Sequence, residues 1–397
     1  MMKCKITDKP IFNLMSFGKM PIANGFIKKK DFSKEFFFDM EVGFNEQLSL
    51  FQLNNHPKPE KMFNKNYPFF TSSSEYMKDH FKKYANFIKK NFLKSNSKII
   101  EIGTNDGTFL NNFKKDNLNI LGFEPSANVA QKAKKNGIPI IIDFFNCKNI
   151  HKISNSFKKT DLICASNVIC HIPDLNDLIK GIDILLTSSG TFIFEEPYLG
   201  AMFDKVSYDQ IYDEHIFMFS ATSIKKIFKM YDFDLIDAHL QETHGGSMRY
   251  IIKRKNKFSP TLNLKNILEK EKKLKLNSIE SCLNFKKNCE ISKIKINNKI
   301  KEIKKSGKSI CGYAATSKST TILNYCGINK DQIDYICDTT KEKIGKYTPG
   351  THIPIKDMNY FYKNQPDSIY LFAWNHKKEI LKKEKNFKGE WFSHVNF

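Results

Sequence analysis

The chain has 397 residues, enough for two or three cores, because a single core seldom grows beyond about 250–300 residues. Its composition, 41% hydrophobic with 35 Phe and 27% charged, is that of a globular protein, and no apolar run approaches the roughly 20 residues that span a bilayer. The start Met1-Met2-Lys3-Cys4-Lys5 lacks the apolar stretch of a signal peptide, so a cytoplasmic protein with no membrane partner is expected. The net charge of +22 admits a nucleic-acid partner. Against that, the lysines are spread over the whole chain, and Lys is used almost to the exclusion of Arg beside abundant Asn, Ile and Phe, as an AT-rich coding sequence produces. No nucleic acid is expected, and a polyanionic small substrate such as a nucleotide suits the same charge. The nine cysteines include no C-x-x-C pair and read as reduced thiols serving as small hydrophobes.

Residues 1–66 read as a small irregular module punctuated by Gly18, Pro21, Gly25 and Pro57, with apolar runs Phe36–Val42 and Leu48–Leu53 as a hairpin. Tyr67-Pro68-Phe69-Phe70 leads through Thr71–Glu75, which has N-cap character, into a helix over about 75–94 with an apolar face. Alternating strands and helices follow over 67–260, the signature of a doubly wound parallel α/β sheet. The predicted strands are Lys98–Ile102, Ile120–Phe123, Ile138–Ile142, Asp161–Ala165, Gly190–Glu195, Leu235–His239 and Met248–Lys253; the predicted helices lie near 107–116, 127–136, 174–187 and 221–231. Residues 261–307, rich in Lys and Glu and free of Pro, read as a linker of one or two long helices. A second, Rossmann-like α/β unit over 308–397 has strands at Ser309–Tyr313, Ile333–Cys337 and Ser368–Phe372, and a helix opening after Gly312–Ala315.

The chemistry begins at Glu101-Ile-Gly103-Thr-Asn105-Asp106-Gly107, a strand, a glycine turn and a helix start. Gly103 permits close approach of a ligand and Gly107 close packing of the turn. A dinucleotide site usually wants G-x-G-x-x-G, but Asn105 takes the middle position and the acidic Glu101 ends the strand. An acid there suits an ammonium better than a phosphate, which favours S-adenosylmethionine (SAM). Glu124 ends the next strand in Glu124-Pro125-Ser126, 21 residues past Gly103, where a carboxylate accepts ribose hydroxyls. Asp143 and Phe144 follow the third strand and flank the adenine; Asn167 and His171 follow the fourth and line the crevice. An ordinary βαβ unit without ligand remains the alternative for the turn taken alone.

Further motifs are more specific: Glu196-Pro197-Tyr198-Leu199, Tyr208-Asp-Gln-Ile-Tyr212-Asp-Glu214-His215, His244-Gly-Gly-Ser-Met-Arg249, Gly312-Tyr-Ala-Ala315-Thr-Ser-Lys318 and Pro349-Gly-Thr-His-Ile-Pro-Ile355. In this order, with Glu124–Ser126 and His171–Asp174, they resemble the sugar C-methyltransferases that act on nucleotide-linked deoxy keto-sugars, over nearly the whole chain. The resemblance implies three parts: an N-terminal zinc module, a class I methyltransferase domain and a C-terminal α/β domain that helps hold the nucleotide. The chain departs from it in the first part, because Cys4 has no companion cysteines before residue 147. Zinc needs about four ligands, so no zinc or other metal is expected.

By the same resemblance His215 is the base that removes the proton α to the ketone, and Glu214 orients it or places the sugar. Tyr212, Tyr67 and His171 are candidates to stabilise the enolate oxygen or bind the sugar. Tyr198 and His244 are candidate substrate contacts, and Lys318 with Lys343 would meet a diphosphate at the helix start. Two other functions remain open on sequence: O- or N-methylation of a sugar or another small acceptor, and basic nucleic-acid binding. The sugar, the nucleotide and the oligomeric state are not readable from the residues.

Overall fold

In the computed structural model, which describes residues 2–65 and 67–395, the strands sort into three sheets. The ends of the expected segments at residues 1, 66, 396 and 397 lie outside the described residues. Near the N-terminus, β1 (Phe12–Pro21), β2 (Phe37–Asn45) and β3 (Leu50–Leu53) form an antiparallel meander. The expected hairpin is present as β2–β3, and β1, interrupted by Gly18 and two register shifts, joins it as an unforeseen outer strand. A four-residue turn of helix, α1 (Pro59–Met62), precedes α2 (Glu75–Phe92), whose Ser74 side chain caps the Met77 N–H.

The central sheet is built from β4 (Lys98–Ile102), β5 (Asn119–Phe123), β6 (Ile140–Ile141), β7 (Thr160–Ser166) and β8 (Leu186–Pro197), all parallel, with α3 (Ala127–Lys135) and α4 (Leu175–Leu185) in the crossovers. Buried on both faces, these strands carry continuous apolar runs such as Leu162–Ala165 and Phe192–Phe194. After α5 (Leu199–Lys205) the chain returns to the first sheet as β9 (Phe217–Met218), paired with β3. Then α6 (Ala221–Lys229) leads to β10 (Phe233–Gln241) and β11 (Ser247–Arg254). The order is β10-β11-β8-β7-β4-β5-β6, with β11 antiparallel between β10 and β8. That inserted strand separates this sheet from the wholly parallel dinucleotide order. The chain switches direction across the sheet between β4 and β7, and the crevice at their carboxyl ends is where such a sheet holds its ligand.

The predicted helix over 107–116 is reduced to a 3-10 turn, Leu110–Phe113. Its apolar residues Phe109, Leu110 and Phe113 are nonetheless fully buried against α2, so the hydrophobic pattern was right and the helical period was not sustained. The linker is two helices, α7 (Leu262–Lys273) and α8 (Ile279–Lys305). Along α8, Cys282, Phe285 and Cys289 pack with β1 and β2 residues, and Ile296, Ile300 and Ile303 with the C-terminal sheet, joining the two in one hydrophobic cluster.

That last sheet has β12 (Ile310–Tyr313), α9 (Ser317–Cys326), β13 (Tyr335–Cys337), β14 (Ile355–Lys356), α10 (Met358–Lys363), β15 (Ser368–Leu371), α11 (Lys377–Lys383) and β16 (Glu390–Phe392). All five strands are parallel in the order β14-β13-β12-β15-β16, so the switch point lies between β12 and β15. Every cysteine is a free thiol, and Cys4 is buried against apolar neighbours of the Leu48–Leu50 region.

Gly107 shows how tightly the turn after β4 is packed. Its φ is +81°, and a Cβ would lie 2.8 Å from Ile138 Cγ1 and 3.2 Å from Ala133 Cβ. Gly18 has a similar φ of +76° but nothing within 4 Å. Gly107→Ala is therefore expected to lower stability by about 2–4 kcal/mol and Gly18→Ala by only about 1 kcal/mol, checked by urea denaturation of the two variants.

Candidate functional site

The carboxyl ends of the central sheet and of the C-terminal sheet face one cavity of about 1240 Å³. From the central sheet it is lined by Glu101, Gly103, Asn105, Glu124, Pro125, Asp143, Phe144, Asn167 and His171. Tyr212, Glu214, His215 and His244 close one wall, Tyr67 another, and Lys318 and Lys343 stand at the far, C-terminal end. Sixteen of the twenty residues singled out from sequence thus meet in one space.

Four do not. Asp106 is fully buried beneath the turn, accepting from the Ser72 N–H (3.0 Å) and the Thr108 hydroxyl (2.6 Å) and lying 3.4 Å from the Lys132 ammonium. Burial opposes its ionisation, but these partners hold its carboxyl below the usual range, so it fixes the turn from behind. Gly107 packs on Ala133 and Ile138. Ser126 is buried, its N–H donating to Glu124 Oε1 (2.7 Å). Tyr198 is buried, and its burial and the neighbouring Glu271 push its phenol up.

Around the glycine turn the geometry suits a cationic, hydroxylated ligand. Gly103 has φ +72°, with Val168 so close that a Cβ would fall 2.2 Å from Cγ2. Asn105, at φ +51°, accepts from the Thr71 N–H (3.0 Å) and donates to the Phe69 carbonyl (3.2 Å), tying the strap 69–71 over the turn. Glu101 is buried, faces the cavity, and its Oε2 has no hydrogen-bond partner among the described residues. Burial pushes its carboxyl well above the usual range, a cost that an ammonium placed in the cavity would relieve. Glu124 is held by the backbone N–H groups of Asn105 (3.0 Å) and Ser126, each oxygen keeping a further lone pair. Asn167 reaches the left-handed region (φ +56°), and its Oδ1 is likewise buried without a partner. These orphaned acceptors fit the ammonium and hydroxyls of SAM.

The wall at 208–215 is chemically distinct. His215 lies 2.7 Å by Nδ1 from the Gln210 carbonyl and 2.7 Å by Nε2 from the Tyr212 hydroxyl. A carbonyl only accepts, so Nδ1 carries the proton and Nε2 is the basic nitrogen, accepting from Tyr212. Burial and the neighbouring His171 hold the ring well below its ordinary pKa, so it is neutral and able to take a proton. Its orientation comes from Gln210. Glu214, expected to orient it, instead accepts from Asn24 Nδ2 (2.7 Å) and the Tyr67 hydroxyl (3.3 Å). Burial raises the Glu214 carboxyl to about 7. The His171 ring stacks between Phe63 and His215 (centroids 5.5 and 5.3 Å), its Nε2 unpartnered, and burial lowers its pKa to about 3. Cys170, His171 and His215 offer ligand atoms within 4.8 Å of one another, but His215 already has both nitrogens engaged.

At the other end, Lys318 lies within the Thr316–Ser319 capping box at the start of α9 and is buried. Its ammonium donates to the His244 carbonyl and Asn375 Oδ1 (both 3.3 Å) and sits 5.0 Å over the Trp374 ring. Burial lowers its pKa, with Asp209 opposing. His244 has φ +55°, and burial and Lys318 hold its ring at about 3. Lys343 donates to the Ala315 carbonyl (2.7 Å) and lies 3.9 Å from Asp338, whose carboxylate takes the Ala315 and Thr340 N–H groups (2.8 and 2.7 Å). Sequence reasoning missed Asn24, Ser166, Asn375 and His376, all cavity-lining, because none carries a motif signature; Asp338, which also lines the cavity, belongs to the C-terminal motifs that carry the family resemblance.

Residues 76–238 match the model of a methyltransferase domain, and residues 242–395 match that of a C-methyltransferase C-terminal domain. The C-methyltransferase NovU of Streptomyces niveus is 26% identical over 380 residues, covering 94% of this chain and 90% of that protein. A carboxy-S-adenosyl-L-methionine synthase of Nautilia profundicola is 28% identical over 192 residues, 46% of this chain and 72% of that one. Among solved structures, the PH0226 protein of Pyrococcus horikoshii aligns with a TM-score of 0.39 at 14% identity, over 51% of this chain and all of that one. The two domain matches and the near full-length relative agree with the class I sheet and its acid-lined glycine turn: the chain is a SAM-dependent methyltransferase that resembles the sugar C-methyltransferases.

Proposed function

We propose that the protein transfers a methyl group from SAM to a carbon α to the ketone of a nucleotide-diphosphate keto-deoxysugar. The observation that carries this reading is the fixed tautomer of His215, which presents a neutral, basic Nε2 in a cavity that also holds the SAM turn. Oxygen or nitrogen acceptors already own a lone pair, whereas carbon needs a base to create its nucleophile.

In this reading the substrate α-carbon gives its proton to His215 Nε2, displacing the Tyr212 hydroxyl, and the electron pair moves into the ketone to form an enolate. Tyr212, freed from His215, and Tyr67 and His171 supply donors to the enolate oxygen or to sugar hydroxyls, while Glu214 holds Tyr67 and places the sugar. When bound, SAM would supply an electrophilic sulfonium methyl for the new carbon–carbon bond and leave as the neutral thioether. Glu101 would hold its ammonium, Glu124 its ribose hydroxyls, Asp143 and Phe144 its adenine, and Asn167 the near edge of the cofactor. Lys318, Lys343 and the start of α9 would take the diphosphate, which explains one buried and one partly buried lysine beside the cavity. His244 lines the sugar side.

The same reading divides the chain at 1–66, 67–260, 261–307 and 308–397, makes the N-terminal part a module without zinc, and takes the protein to be cytoplasmic and without a nucleic-acid partner. Elemental analysis of the purified protein is expected to find zinc well below one equivalent.

Two measurements test the chemistry. Glu101→Gln keeps shape but removes the charge facing the ammonium, and calorimetry is expected to show SAM affinity falling by about 10- to 100-fold. In deuterium oxide, wild-type protein is expected to exchange the α hydrogen of a nucleotide-linked keto-sugar, and His215→Ala to lose that exchange by at least about 100-fold. A panel of such sugars with labelled methyl donor, read by NMR, then locates the new bond; label on oxygen or nitrogen without α exchange contradicts the carbon assignment.

A further inference from the structure

The N-terminal sheet ends β1 at Pro21, and the next four residues turn sharply, with the Gly25 N–H donating to the Ile22 carbonyl (2.9 Å). This turn reaches into the catalytic wall 190 residues downstream. The Ala23 N–H donates to Asp213 Oδ1 (3.0 Å), its carbonyl accepts from the buried Thr320 hydroxyl of α9 (2.8 Å), and Asn24, itself lining the cavity, donates through Nδ2 to Glu214 Oε1 (2.7 Å).

We infer that Asn24 is a positioning residue of the acceptor site: together with Tyr67 it holds the Glu214 carboxylate in one orientation toward the cavity, and this is what the N-terminal module contributes to the reaction. The inference rests on the acceptor reading of the cavity given above. Asp213 and Glu214 are adjacent, buried carboxyls, and Asp213 Oδ2 has no partner among the described residues. Two such acids side by side resist sharing ionisation. The unequal share of donors that each receives decides which of them carries charge and where it points. Asn24 and Tyr67 bond the two oxygens of Glu214, whereas a single backbone amide from the same turn bonds Asp213. Besides Asp213, the titratable groups facing Glu214 are Tyr212, Cys170 and Tyr67, and of these Tyr67 already donates to its other oxygen. The amide of Asn24 is therefore the neutral donor on which the charged form depends.

The test compares Asn24→Ala, which removes the donor, with Asn24→Asp, which keeps the shape and replaces the donor by an acceptor. Removing a donor from a carboxylate raises its pKa, so the acid limb of the pH–rate profile should move to higher pH by about one unit in Asn24→Ala and further in Asn24→Asp. The kcat should fall by about tenfold or more while SAM affinity stays at the wild-type value. A carboxyl infrared titration of wild type, of both variants and of Glu214→Gln (whose missing band marks the residue) reads the same shift without any sugar. If no keto-sugar is a substrate, the acceptor reading fails while the titration still decides the role of Asn24. An unmoved Glu214 band in both variants overturns the inference, and so does a kcat loss with an unchanged acid limb, which would mark a purely structural contact.

Discussion

The interaction on which the rest of the structure depends is the satisfaction of a buried acidic loop. Asp209, Asp213 and Glu214 lie within six residues and are at most 3% exposed. Carboxyls in such a place are costly unless donors meet them. The donors come from every part of the chain: the Ala23 amide and Asn24 from the N-terminal sheet, the Tyr67 phenol from the segment before α2, and the Trp374 indole (2.6 Å to Asp209) from the C-terminal unit. Thr321 of α9 adds a bond to the Ile211 carbonyl (2.8 Å). A loop that cannot be buried without contributions from all three sheets is also a loop that assembles only when they have docked. His215 sits at its end.

The burial has a sign in pH. Asp213 and Glu214 both have carboxyls raised above their unfolded values by burial, Glu214 to about 7 and Asp213 well above its ordinary range. For an acid with a raised folded pKa, the folded state binds more protons than the unfolded one in the window between the two values. Stability from these groups is therefore fully present below the ordinary carboxyl range and declines as pH rises from about 4.5 through about 7. Burial of this pair thus costs fold stability at neutral pH. The same burial holds the His215 ring well below its ordinary pKa.

Much of this was legible in the sequence because it repeats locally. The continuous runs Ile99–Ile102 and Leu162–Ala165, and the helical faces of 75–94 and 221–231, carry their own period, and the glycine turn with Glu101 and Glu124 has a spacing that chemistry explains. What was not legible depends on distant partners. The two-residue strands Ile140–Ile141, Phe217–Met218 and Ile355–Lys356 exist because a neighbour strand supplies hydrogen bonds, not because their side chains alternate. Asp106 looked like a ligand residue because it follows Asn105 in the turn, yet Ser72 and Thr108 claim its carboxylate. Asn24 sits in Pro21-Ile-Ala-Asn-Gly25, which reads as an ordinary turn, since no local signal reports a partner 190 residues away.

The two ends of the cavity divide the chemistry unequally. The cofactor end is set by backbone: left-handed Gly103, Asn105 and Asn167, and amides gripping Glu124, so its shape follows from the sheet and tolerates variation in the rest of the chain. The acceptor end is set by side chains borrowed across modules, with Lys318 touching the His244 carbonyl and Asn24 touching Glu214. The contact that the N-terminal part makes with this end of the cavity runs through the turn at 22–25, at the opposite end of β1 from Cys4. The fold that β1–β3 still form, closed by β9 from the catalytic region itself, is enough to hold that turn in place.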